Sequence, residues 1–507
     1  MSADAPLPGS RRGWRIAFSA VFAWVFLFNR EGAWGIASNE LVYLVGLARR
    51  AHPSFLAADW TLSGADVEHA AFDFLFTPLF RVFSLEAAAW IGRLACWAAG
   101  IALLLRIARR LRLGPAAAAA GALLWLAFGQ SLVGGEWIFG TFEAKCVAYG
   151  FLLVAIDAAI GDSLLLAGAA VGAAFTLHPS VGFWGAAAVF PALALCRPRA
   201  RDFLLAVLTA GILAAPGLAV LLPAAASFPI SAGDASFMVH VHQFFHLDPF
   251  SFSPRSLAAL LLMAAWLLWR WRRRDDRARR FLFFLTIALA AGFSAGVVAR
   301  AADANRFLLL FPFRLFPLLV PLFFFWQWSG DIAAAPASAR ARVAAAGLAI
   351  VLVAADPVAT LLADAGSLRR MLPARPRPLD TALAWVAANT PEDAVVVVPP
   401  MLKSAFAATR RPQVANWFAA RTDRYAEWRA RIEAILGPIP ERRAIRDRVG
   451  FEERYRTMSP DSVGALVRRY GARFLVTNGE YPYPVVFAEG RWKVYRLGAD
   501  SPGAPRP

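Results

Sequence analysis

The chain is poor in charge, in cysteine and, among its cations, in lysine. Only 17% of its 507 residues are charged and 59% are hydrophobic, where a soluble domain carries about 25% charged residues. That deficit excludes an ordinary water-soluble protein and assigns most of the apolar surface to a bilayer. Three cysteines, Cys96, Cys146 and Cys196, all fall in or beside apolar runs, where a thiol behaves as a small hydrophobe. They supply neither a disulfide framework nor a Cys-x-x-Cys zinc pattern. Lysine occurs three times, at Lys145, Lys403 and Lys493, against fifty arginines. The net charge of +18 would suit nucleic acid, but the arginines form short clusters between apolar runs and no stacking aromatics are interleaved with them. They read as topology signals, and nucleic acid is not expected as a partner.

What the chain has in abundance is apolar runs. A helix needs about 20 mainly apolar residues to cross the hydrocarbon core, with a range of about 17 to 25. Runs near 14–29, 86–106, 113–133, 145–161, 163–177, 180–196, 202–223, 254–271, 280–299, 306–328 and 343–363 predict a polytopic α-helical membrane protein with about 11 transmembrane helices. The first run starts on arginines like a signal peptide, but it lacks a small-residue cleavage site and many spans follow it, so it is expected to be retained. Arg11, Arg12 and Arg15 precede the first run, Arg106, Arg109, Arg110 and Arg112 follow the second, and Arg197, Arg199 and Arg201 follow the sixth. Arg270, Arg272, Arg273 and Arg274 follow the eighth, and Arg340 and Arg342 precede the last. If each run crosses once, all these clusters share one side, which the positive-inside rule makes cytoplasmic. The N-terminus is then inside and the C-terminus outside.

The pattern divides the chain into a membrane domain, residues 1–368, a basic and proline-rich linker, 369–378, and a small soluble α/β domain, 379–507. Within the membrane domain a long first external loop covers about 30–85. Its segment 40–50 is amphipathic, with Leu41, Leu44, Val45 and Ala48 on one helical face, and is expected to lie in the membrane interface. In the last domain, helices are predicted at 379–388, 424–436 and 462–470. Strands are predicted at 394–398, 474–476, 485–487 and 492–495, the last two joined by a hairpin at Glu489-Gly490.

Polar groups at membrane depth or at its outer face are the candidates for function. In Ser38-Asn39-Glu40 the carboxylate of Glu40 could act as a general base on an acceptor hydroxyl or help to hold a divalent cation; equally, Ser38 or Asn39 could cap a helix whose first turn carries Glu40. Glu143 and Lys145 stand at the mouth of the fourth run, where Lys145 could grip a lipid phosphate and Glu143 could orient it, or the two could form an ordinary interfacial pair with the lysine snorkelling. Arg306 and Arg314 are eight residues apart, which on a continuous helix sets them on roughly one face about 12 Å apart. A guanidinium below the surface calls for an anion, either polyprenyl phosphate or a buried carboxylate such as Asp303 or Glu143. His240, His242 and His246, with Asp248, could bind zinc or donate hydrogen bonds to a substrate or headgroup, and His178 before Pro179 could line the same cavity.

Certain segments carry a resemblance. They are Asn39-Glu40-Leu41-Val42-Tyr43 running to His52-Pro53 and Asp59-Trp60, then Glu143-Ala144-Lys145, His178-Pro179, His240-Val241-His242, and a tail from Trp385 through Asn389-Thr390-Pro391 to Val398-Pro399-Pro400. In these the chain resembles the GT-C superfamily of membrane glycosyltransferases, and more closely a bacterial branch with a C-terminal extracytoplasmic domain of the kind called DUF6798. The resemblance implies a multi-pass protein of the bacterial inner membrane that transfers a sugar from a polyprenyl-phosphate-linked donor to an acceptor on the outer face. Glu40 then stands in the position of the catalytic acidic residue. Lys145, Arg306 and Arg314 are the expected donor-phosphate ligands, with Asn39, Asp59, Glu143, His178, His240 and His242 as substrate or accessory groups. Many relatives carry a paired acidic motif where this chain has Asn39-Glu40, so a divalent cation stays an open possibility. A non-catalytic envelope scaffold and a lipid-linked sugar transporter are the competing functions. The topology is directly testable: a reporter fused after Pro507 is expected to be active only outside the cytoplasm, and cytoplasmic activity would overturn the orientation.

Overall fold

The computed structural model describes residues 10–28, 39–63, 67–196, 199–227, 230–272, 276–354, 376–440 and 448–498. Ser38, most of the expected linker 369–378 and the end of the run 343–363 lie outside them. The chain forms two compact units, Met1–Ala33 with Ile91–Val220 and Gln243–Met371, and Trp34–Trp90 with Leu221–His242 and Leu372–Pro507.

The first unit is helical because its sequence is apolar over long stretches and its backbone amides have to be satisfied internally in lipid. Every expected run holds a helix: Arg11–Phe28, Leu85–Arg110, Pro115–Ala127, Ala144–Ile160, Leu164–Leu177, Pro179–Leu195, Ala200–Ser227, Pro254–Trp271, Arg277–Ala301, Phe316–Ala334 and Ala337–Ala354. Among the described residues, Leu85–Arg110, Ala200–Ser227 and Arg277–Ala301 are long and apolar enough to cross a membrane by length and composition alone. Others are shorter than expected. The run 113–133 stops at Ala127 because Gly129 and Gln130 take left-handed φ of +80° and +68°.

One end of this unit collects the arginines. In the last turn of Ala144–Ile160, Asp157 pairs with Arg110 and, at 2.9 Å, with Arg106 Nε. Arg277 pairs with Asp162, Arg270 with Asp331, and Arg279 Nη2 donates to the Leu111 carbonyl at 3.3 Å. Residues up to 168 apart in sequence thus meet at one end of this unit. The opposite end is made by the loop 128–143, the segment 243–247 and the segment 309–315.

That second end contains a correction. The run 306–328 is not one helix: Asn305–Leu308 makes a single turn, Phe311 has φ +58°, and the long helix begins only at Phe316. Pro312 lacks an N–H and disfavours helical geometry in the residue before it. Arg306 is exposed whereas Arg314 is buried, so the two arginines do not share one helical face.

In the second unit the segment Glu40–Ala51 is helical, but Val42, Leu44, Val45, Leu47 and Ala48 are all buried. The expectation of a helix lying in the membrane interface is therefore corrected. Val42 and Val45 pack with Leu56, Phe406 and Ala419 in a protein core, which removes more apolar surface than one interfacial face would. A four-stranded sheet has the order β1-β2-β4-β3, with β1 Val395–Val397, β2 Ala472–Thr477, β3 Val485–Glu489 and β4 Trp492–Arg496. β1 runs parallel to β2, and β4 runs antiparallel to both β2 and β3. Gly490, with φ +57°, turns the expected β3–β4 hairpin. The helix Pro378–Asn389 covers the sheet, burying Ala382, Leu383 and Val386 against Val396, Val476 and Val494.

Small residues let two helices of the first unit touch. An ideal Cβ on Gly168 would lie 2.0 Å from the Ala206 carbonyl oxygen, and one on Gly172 would lie 2.4 Å from that of Ala210, a four-residue spacing of small residues on both partners. Gly168→Ala is expected to lower the thermal midpoint of the purified protein by a cost of about 1 to 3 kcal/mol. Gly211→Ala, at a site with nothing within 4 Å, should leave it unchanged or raise it. Equal midpoints for the two variants would contradict the close packing.

Candidate functional site

The end of the first unit opposite the arginine clusters holds a buried group of charges. The loop that carries it is folded on Gln130, whose Oε1 accepts from the Ile138 and Phe139 amides at 2.8 and 2.9 Å and whose Nε2 donates to the Phe139 carbonyl at 2.7 Å. Trp97 Nε1 donates to the Gly140 carbonyl at 3.0 Å. Gly134 and Gly135 supply left-handed turns, with φ +78° and +62°. Together these hold Glu136 inside, with 1% of its surface exposed.

Four side chains from three other segments face that carboxylate. Tyr149, on the helix Ala144–Ile160, donates its hydroxyl to Oε2 at 3.0 Å. Lys145 Nζ is 3.9 Å from Oε2, and Arg314 Nε and His246 Nδ1 are 3.5 and 3.7 Å from Oε1. His246 also bonds the Gly134 carbonyl, which acts as acceptor. Lys145 Nζ lies 3.4 Å from Glu143 Oε1 and 3.8 Å from the centre of the Trp137 ring, while Arg314 stacks 4.2 Å from Phe311. Burial pushes the Glu136 carboxyl up, but the charges of Arg314 and Lys145, helped by His246 and Tyr149, outweigh it and hold the group below the usual carboxylate range. Burial pushes the His246 imidazole down to about 4, against the pull of Glu136. At neutral pH the ionised Glu136 is therefore surrounded by two cations, Lys145 and Arg314, and a neutral imidazole. Such an arrangement can receive an anion if a carboxylate yields its place.

Glu143, Lys145 and Arg314 are thus brought together, as the sequence suggested, while Arg306 stands apart on the exposed turn before Phe311. Glu136 and Tyr149 were not among the candidates. A single acid between two glycines and a tryptophan was the available signal for Glu136, and Tyr149 follows Lys145 by one helical turn. His178 precedes the helix Pro179–Leu195, with Nδ1 3.3 Å from Ser180 Oγ.

In the second unit Glu40 is fully buried in the first turn of its helix. Asn39 makes no cap hydrogen bond with its side chain; its Oδ1 instead accepts from Lys403 Nζ at 3.3 Å. Asp59 accepts the amides of Thr61 and Leu62 on Oδ1 at 2.9 and 3.0 Å and that of Gln413 on Oδ2 at 2.9 Å. Next to it Trp60 Nε1 donates to the Val414 carbonyl at 2.8 Å. Asp59 is therefore committed to joining the first loop to the C-terminal chain. His240 and His242 fall in a π-helical turn, Met238–His242; His242 Nε2 contacts the Trp417 carbonyl at 3.1 Å, and its ring is packed by Trp417, Tyr425 and Trp428. Among the described residues no three His, Cys, Asp or Glu side chains are grouped to hold a metal ion.

Comparison with known proteins adds to this geometry. Residues 378–435 match the family model of DUF6798, a domain of unknown function. No curated protein matches the chain in sequence. Among solved structures it is similar to the oligosaccharyltransferase of Archaeoglobus fulgidus in complex with zinc and sulfate, at 14% identity over 92% of this chain and 67% of that one, with a TM-score of 0.53. AglB of the same organism, in complex with an inhibitory peptide and a dolichol-phosphate, gives 14%, 92% and 69%, with a TM-score of 0.51. ArnT from Cupriavidus metallidurans, bound to undecaprenyl phosphate, gives 17%, 97% and 99%, with a TM-score of 0.50. The chain is accordingly a polytopic helical membrane protein of GT-C fold, with a small C-terminal domain built on a sheet.

The neutral His246 makes a prediction. Its proton affinity is depressed on folding, so its contribution to stability is complete above about pH 6.5 and is lost as pH falls toward 4, the loss there being about 3 kcal/mol. His246→Gln should flatten this part of the pH dependence of the melting temperature. Parallel profiles for the two proteins between pH 7 and 4 would contradict a buried, neutral His246.

Proposed function

We propose that the protein transfers a sugar from a polyprenyl-phosphate-linked donor to an acceptor on the extracytoplasmic face of the bacterial inner membrane, with its N-terminus in the cytoplasm. The observation that carries this reading is the buried pair of cations, Lys145 and Arg314, at the end of the helical unit away from the arginine clusters. Arginine and lysine at such a depth suit a lipid-borne phosphate, and the guanidinium offers forked donors to its oxygens. Support also comes from the shared fold, since AglB and ArnT were solved with dolichol-phosphate and undecaprenyl phosphate.

In the reaction an acceptor hydroxyl attacks the anomeric carbon and the bond from that carbon to the phosphate oxygen breaks. The polyprenyl phosphate leaves with the electron pair. Lys145 and Arg314 neutralise the charge that grows on it, and Glu143 positions Lys145. Preformed cations in a water-poor site are effective here because they need no reorganisation as charge develops. The resemblance to GT-C enzymes makes Glu40 the expected base for the acceptor hydroxyl, with Asn39 next to it in sequence. Arg306, on the exposed turn, is available to the lipid surface or the donor, whereas Asp59 and His242 brace the second unit from within.

A non-catalytic envelope scaffold is the competing reading, and the pairing of Lys145 and Arg314 with Glu143 and Glu136 favours it, since such pairs can serve merely to tie segments together. A lipid-linked sugar transporter would use the same cations without a base. Transfer from undecaprenyl-phosphate-linked sugar in reconstituted vesicles separates them. Glu40→Gln keeps shape and polarity but deletes the base, so activity should disappear while membrane insertion and melting temperature stay the same. Activity within a few-fold of the parent would sink the catalytic role of Glu40.

A further inference from the structure

Glu136 is held in an unusual way. Its Oε1 is buried and accepts no hydrogen bond from the described residues, although Arg314 Nε and His246 Nδ1 stand 3.5 and 3.7 Å away. Lys145 Nζ is 3.9 Å from Oε2, so among the described residues only the Tyr149 hydroxyl, at 3.0 Å, makes a hydrogen bond to this carboxylate. Charge-assisted hydrogen bonds are about 2.7 to 2.9 Å long, and a buried pair serving only to hold a fold together depends on such tight geometry. Here the nitrogens surround a carboxylate at a spacing that suits a bulkier anion with more oxygens.

We propose that Glu136 is a place-holding anion: with the site empty its carboxylate occupies the phosphate subsite between Lys145, His246 and Arg314, and it gives way when the donor's phosphate enters. This inference rests on the reading that Lys145 and Arg314 bind lipid phosphate. It assigns Glu136 a positioning role, because the carboxylate keeps both cations charged and aimed while no ligand is present. Glu143 faces Lys145 from the other side at 3.4 Å and stays with it in both states. Once the sugar has been transferred, the freed polyprenyl phosphate and the returning carboxylate compete for the same donors. Glu136 thereby limits affinity for the lipid phosphate and promotes its release.

The test is equilibrium binding of undecaprenyl phosphate to the purified full-length protein, with undecaprenol as the uncharged control. Two anions about 4 Å apart near a protein surface repel strongly enough that removing one charge should tighten binding by roughly tenfold or more. Glu136→Gln still accepts the Tyr149 hydroxyl and should show this gain. Its steady-state transfer should show a lower KM together with a lower kcat, since release of the lipid phosphate becomes slower. Unchanged or weaker binding by a Glu136→Gln protein of normal melting temperature overturns the place-holding role. If that variant does not fold, Glu136→Asp, which withdraws the charge by one methylene, must tighten binding by a smaller factor, and equal or weaker binding then overturns it. A parent protein that binds undecaprenyl phosphate no better than undecaprenol overturns the phosphate reading as well.

Discussion

The helical unit depends on keeping one carboxylate, that of Glu136, ionised out of contact with water. Stripping a carboxylate of its water costs several kcal/mol even after relaxation, so the partners that offset this cost have to be delivered together. Lys145 and Tyr149 come from one helix, His246 from a short turn after the π-helical segment, and Arg314 from the irregular stretch that precedes Phe316. None of these pieces is near Arg314 in sequence. The need to surround Glu136 therefore specifies how residues 243–247 and 309–315 meet the loop 128–143, and it explains why Phe311 and Pro312 interrupt what is otherwise a continuous apolar run.

The two ends of that unit show the same physical chemistry put to different uses. At the arginine-rich end, Asp157, Asp162 and Asp331 each meet arginine, and several of these side chains reach the surface. Their arginines are partly exposed, so solvent screens these pairs and limits what each contributes. At the other end the cations are few and buried, so each contact with a carboxylate acts in a low dielectric and can be exchanged for contact with another anion. Lysine is kept for this place: Lys145 is the only lysine of the helical unit.

Much of this was legible in the residues. Apolar runs and alternating arginine clusters indicated a multi-pass helical protein, and β-branched stretches bounded by proline and glycine located all four strands. Lys145 stood out by the scarcity of its type. What escaped was whatever depends on tertiary partners. Glu136 looks like any loop acid until Gln130 folds the loop inward around it. The alternation in Glu40–Ala51 is that of a surface helix, yet Phe406 and Ala419, more than 350 residues away, cover it. Asp59 and Trp60 carry no signal of their true partners, Gln413 and Val414, which lie within the stretch that matches DUF6798. That domain is thus bound to the first loop through a buried carboxylate and an indole rather than through a generic apolar face.

The proposed transfer depends on Lys145 and Arg314 being ligands of a lipid-borne phosphate. An experimental structure of the protein purified with undecaprenyl phosphate tests this most directly. The account predicts density for the phosphate within hydrogen-bonding distance of Lys145 Nζ and the Arg314 guanidinium, with the Glu136 carboxylate displaced from between them. Phosphate density elsewhere, with Lys145 and Arg314 still gathered on Glu136 and Glu143, would contradict it.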